Sequence, residues 1–101
     1  MQHIGLRRED EDGNVIAEYT GLNGLDPRVV ASASPQSNCL RFIDPCGDTV
    51  FNQLQLPALI SEIQSYAATC NDTVLKASIS SVVEFLCASV GVHTYVRFIG
   101  D

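Results

Sequence analysis

The sequence has no tryptophan, one methionine and a single lysine, Lys76. Its five arginines face twelve acids, for a net charge of −6 over 101 residues. Binding to phosphate chains is driven by clustered cations that displace counterions. Arg7-Arg8 is the one basic pair, and Glu9, Asp10, Glu11 and Asp12 follow it at once. The expectation is therefore no nucleic-acid partner and no anionic membrane surface. No apolar run reaches the ~18 residues of a membrane-crossing helix. The opening MQHIGLRREDEDG lacks the apolar centre of an export signal, which points to a cytoplasmic protein.

Cysteines stand at 39, 46, 70 and 87, with no C-x-x-C among them, and the histidines are His3 and His93. Structural zinc sites are usually announced by short spacings between ligands, so no metal is expected here. Without an export signal, reduced thiols acting as small apolar groups are the simplest account of the cysteines. Cys46, in a turn, is the one expected to be exposed. A thiol nucleophile needs a base beside it, and neither His3 nor His93 is placed at Cys46 by the sequence. There is no G-x-S-x-G, no phosphate-cradling glycine loop and no H-E-x-x-H. No catalytic residue and no cofactor are assigned.

What is present reads as one domain of strands followed by two helices and a returning strand. Residues 3–7 and 15–19 predict two strands joined by an acidic turn, in which Gly13 takes a positive φ. Residues 21–38 are rich in Gly, Pro, Ser and Asn and predict loops, with a short strand at RVVASA, residues 28–33. Residues 39–54, CLRFIDPCGDTVFNQL, predict a β-hairpin about an Asp-Pro-Cys-Gly-Asp turn, with Phe42 and Val50 at the centre of the sheet.

Pro57 then opens a helix carrying Leu59, Ile60, Ile63, Tyr66 and Ala67 at helical spacing, ending near Cys70. Asn71 or Asp72 caps a second helix with the stripe Leu75, Ile79, Val82, Val83, Leu86 and Val90, and Gly91 is its expected stop. Residues 92–99, VHTYVRFI, form a last strand. Its Arg97-Phe98-Ile99 echoes Arg41-Phe42-Ile43, as two neighbouring strands would. The fold class expected is α+β: a four- to six-stranded antiparallel or mixed sheet with two helices packed on one face.

Candidate polar groups fall in two places. Asp44 and Asp48 flank the turn, with Asp101 as a third carboxylate; paired acids can hold a hard cation or divide acid and base roles, though turn aspartates commonly bond the local backbone. His93, Tyr95 and Arg97 line one side of the last strand and together offer a grip for an anion. Between Thr49 and Val96 the only charged residues are Glu62, Asp72, Lys76 and Glu84. With Val74 and Phe85 off the main stripe, this weakly charged helical face predicts a homodimer.

LRFIDPCGDTVFNQLQ and HTYVRFIGD resemble a small family of short, uncharacterised bacterial proteins, some carried on mobile or integron gene cassettes. The resemblance implies a bacterial, accessory protein and brings no activity or cofactor with it. The expected function is a non-enzymatic interaction module of the immunity or antitoxin kind, its acidic surface meeting a basic protein partner. The alternatives are a small-molecule binding protein with a pocket between sheet and helices, and a small carboxylate-dependent enzyme using Asp44 and Asp48.

Overall fold

The computed structural model describes residues 3–20, 24–89 and 91–100. Val90, Asp101 and the 21–23 part of the glycine-rich loop therefore lie outside the described residues. Strands β1 (Gly5–Glu9) and β2 (Val15–Glu18) pair antiparallel as their composition predicts, with Gly13 at φ 84 in the turn. Asp10 holds that turn: its carboxylate accepts the backbone N–H groups of Asp12 and Asn14, each at 2.9 Å. An extra residue in β2, opposite Glu9, breaks the register there.

The last strand, β4 (Tyr95–Ile99), lies inside the sheet rather than at its margin. It pairs antiparallel with β1 on one side and with β3 (Asp48–Asn52) on the other, giving the order β2-β1-β4-β3. The register puts Leu6 opposite Phe98 and Phe51 opposite Val96, so these four apolar side chains share one face, and all four are buried. Helices α2 (Leu56–Thr69) and α3 (Thr73–Cys87) cover that face. Their buried residues Leu59, Ile63, Leu75, Ile79, Val82 and Leu86 join it in a single core. Pro57 lies in the first turn of α2, where its missing N–H goes unused. Asp72 caps α3, accepting from Val74 and Leu75. The helix ends at Cys87, before Gly91 is reached.

The predicted hairpin over 39–54 is only half a hairpin. Its second arm is β3, but its first is a short 3₁₀ turn, Leu40–Phe42. The cause is a carboxylate from another element. Glu62 of α2 accepts the N–H groups of Asn38, Cys39 and Leu40 at 2.6, 3.1 and 2.8 Å. Those three donors are thereby committed to a helix-like start instead of a ladder. Phe42, held in that turn, is 55% exposed; Val50, on the face of β3 opposite to Phe51, is 41% exposed; and the aromatic centre is Phe51 against Phe98, with centroids 5.6 Å apart at 86°. The 41–43 and 97–99 stretches are not paired strands. They approach instead through Gly100, whose N–H donates to the Gly47 carbonyl at 2.7 Å. A Cβ there would stand 2.5 Å from the Asp44 oxygen, so the residue closing the sheet has to be glycine.

The short strand predicted at 28–33 is a helix, α1 (Pro27–Ala31). Two adjacent valines favour a strand by propensity. Local capping overrides it: the Asp26 carboxylate accepts the Arg28 N–H at 2.8 Å, and Pro27 presets the first helical φ. Val29 and Val30 then face the core. Of the two off-stripe apolars on α3, Val74 is exposed, whereas Phe85 packs edge-on against Tyr19 with the Arg8 guanidinium over its ring.

The cysteines divide by exposure. Cys39 is buried, Cys70 half-buried, and Cys46 and Cys87 are both exposed, so Cys46 does not stand alone at the surface. Burial, and after it the nearby Glu62 carboxylate, push the Cys39 thiol up from its ordinary value. Since the thiolate is the reactive form, a disulfide-exchange reagent is expected to modify Cys46 and Cys87 first and Cys39 only as the chain unfolds. Mass mapping over time checks this; Cys39 reacting as fast as Cys46 would mean that residues 38–43 are not packed as described.

Candidate functional site

Alternation along β1, β4 and β3 places Arg7, Glu9, Tyr95, Arg97, Asp48 and Val50 on the sheet face away from the helices. Arg7 and Arg97 stand directly opposite one another, an unfavourable pair unless something neutralises it. Glu9 does so. Only 3% exposed, it accepts from Arg7 Nε at 2.6 Å and from Arg97 Nε at 2.9 Å. Arg97 Nη1 also reaches Asp48 at 3.2 Å. The hydrogen bond from Arg97 holds the Glu9 carboxyl below its ordinary value against the opposing effect of burial, with Arg7 adding to it.

Of the residues singled out from sequence, Asp48, Tyr95 and Arg97 therefore come together on this face. His93 does not join them: it precedes β4 at φ 61, and its Nδ1 lies 3.0 Å from Glu11. Asp44 remains in its turn, accepting the Cys46 N–H at 2.8 Å. Among the described residues, no three His, Cys, Asp or Glu side chains converge as metal ligands. Arg7 and Glu9 belong to the network and were not singled out. Their signal in the sequence was the alternation of Arg7 with Glu9, which a strand reading puts on one side.

A second arrangement was not expected at all. A groove of about 710 Å³ runs between the start of α3 and the segments carrying His3, Tyr19 and Asp26. Asp26, mostly buried, takes the Nε and Nη2 edge of Arg28, with its closest contact at 2.8 Å. Arg28 hydrogen bonding holds the Asp26 carboxyl low against the opposing effect of burial. His3 Nε2 lies 3.6 Å from the same carboxylate. Asp72 Oδ2 stands beside this pair, 4.0 Å from Arg28 Nη1. The wall beside them, from α3, is mostly apolar, with Val74, Leu75 and Ala77 among the hydroxyls of Thr73, Ser78 and Ser81. The Tyr19 hydroxyl is shielded from solvent and has no hydrogen-bond partner among the described residues.

The third feature is β2 itself. It is an edge strand, and the most exposed strand of the sheet. Val15 and Ile16 are both exposed along it, Ile16 by 54%, and Glu18 is exposed beside them. The adjoining turn carries Glu11 and Asp12 into solvent. Among the described residues, no helix is long and apolar enough to cross a membrane. No family model, curated protein or solved structure matches the chain.

Proposed function

We propose that this chain is a non-enzymatic interaction module that takes an extended, basic and apolar segment of a partner protein along the outer edge of β2. The observation that carries this reading is the β1–β2 hairpin, where exposed Val15 and Ile16 lie on an unpaired strand edge beside Glu11, Asp12 and Glu18. An exposed apolar edge strand is a template for another strand unless something blunts it. The acids here blunt it against a second copy of the same hairpin, since like charges would face one another. They favour a cationic strand. The net charge of −6 steers such a partner toward the molecule at low salt. The resemblance to cassette-borne proteins supports an accessory role inside a bacterial cell, of the immunity or antitoxin kind.

The test is a titration of isotope-labelled protein with a short peptide of alternating valine and lysine. Amide shifts and slowed exchange are expected at Val15–Glu18, with affinity that falls as salt is raised. Ile16→Lys places a like charge against the peptide and is expected to weaken binding by about tenfold, ~1.4 kcal/mol. Shifts confined to the helices, or binding indifferent to salt, would remove the proposal.

A further inference from the structure

We infer that the groove at the start of α3 is a binding site for a small zwitterion with an apolar arm, such as an apolar α-amino acid. The charges left available at its polar end select the ligand. Asp26 is saturated: both of its oxygens receive Arg28, including the backbone N–H, so it has little left to offer a ligand. Arg28, which lines the groove and is more than half exposed, is thereby fixed by its Nε and Nη2 edge, and its Nη1 makes no hydrogen bond among the described residues. That Nη1 is the donor left to receive a carboxylate.

Asp72 is divided in a complementary way. Its Oδ1 accepts both N–H groups of the α3 cap, at 3.0 and 3.1 Å. Its Oδ2 has no N–H of the cap to hold and faces Arg28 Nη1 at 4.0 Å, too long for a hydrogen bond. One half-used cation and one half-used anion thus stand side by side at the polar end of the groove. A ligand that bears both an ammonium and a carboxylate satisfies both; a ligand with one charge repels one of them. Val74, Leu75 and Ala77 receive an apolar arm, and Thr73, Ser78 and Ser81 of the same helix supply hydroxyls along the groove. A volume of about 710 Å³ falls within the roughly 300–1,000 Å³ of ligand pockets.

This site is separate from the β2 edge, and its test does not depend on the peptide titration. Isotope-labelled protein is titrated with phenylalanine, with phenylacetate, which lacks the ammonium, and with phenethylamine, which lacks the carboxylate. Phenylalanine is expected to shift the amides of Tyr19 and residues 73–78 and to bind about tenfold more tightly than either relative, ~1.4 kcal/mol. Asp72→Asn keeps a good helix cap while removing the charge, so α3 stays folded by circular dichroism and the advantage of phenylalanine over phenylacetate is lost. No phenylalanine binding at millimolar concentration overturns the inference. So does equal binding by a singly charged relative, or undiminished selectivity in folded Asp72→Asn.

Discussion

Replacing Phe98 with alanine is expected to destabilise the domain by about 4 kcal/mol, whereas Phe42→Ala costs under about 1 kcal/mol. Phe98 is fully buried in the internal strand β4, opposite Leu6 on one neighbour and ring-to-edge with Phe51 on the other. Its loss removes a large apolar burial and the aromatic pairing, and it leaves a cavity between the sheet and the helices that cover it. Phe42 is more than half exposed and touches the Arg41 guanidinium, with 4.2 Å from the ring centre to its carbon. An exposed contact of that type contributes about 0.5–1 kcal/mol. For a domain of this size the Phe98 variant should melt roughly 20 °C lower, out of a total stability on the order of 5–15 kcal/mol. Parallel thermal melts decide the matter. Equal losses for Phe42→Ala and Phe98→Ala would return the sheet centre to the 39–54 segment.

That comparison marks where the sequence is legible and where it is not. The α+β class, the first hairpin with Gly13, and both long helices follow from periods and caps that act within a few residues. Pro57, Asp72 and the stripe from Leu75 to Leu86 are local signals, and tertiary structure agrees with them. Residues 39–43 read as a strand because Leu40, Phe42 and Ile43 are β-prone in isolation. The decision comes from Glu62, more than twenty residues away, and no local pattern reports it. At 28–30 the local signals conflict: valines against an Asp-Pro start. Capping prevails because Asp26 also receives the Arg28 side chain. The candidate sites divide on the same principle. Tyr95, Arg97 and Asp48 share a face because β3 and β4 pair in register. The groove joins His3, Tyr19, Arg28 and Asp72 from four separate stretches, each carrying an ordinary residue. Of the four charged residues between Thr49 and Val96, Glu62 and Asp72 accept backbone N–H groups.

Glu62→Ala is expected to cost about 3 kcal/mol, a large effect for a half-buried side chain on a helix. The carboxylate accepts three backbone N–H groups, and each such charge-assisted bond contributes about 1.5–3 kcal/mol before water replaces part of it at the exposed Asn38 end. Glu62→Gln is expected to lose about half as much. One amide oxygen still meets Cys39 and Leu40, while the amide nitrogen opposes the Asn38 N–H. The pH dependence separates this role from plain packing. Burial pushes the Glu62 carboxyl up, but the three N–H donors together bring it below its ordinary value of 4.5. A carboxyl lowered in the folded state contributes stability that is fully present above its unfolded pKa. That contribution is lost as pH falls through the folded pKa. The stability gap between wild type and Glu62→Gln should therefore be constant from neutral pH down to about 4.5 and close below it. Chemical denaturation of both proteins across that range measures the gap, and amide exchange at residues 38–40 locates it. A gap that widens in acid, or exchange at those amides unchanged by Glu62→Ala, would mean that something other than this carboxylate turns the chain away from a strand.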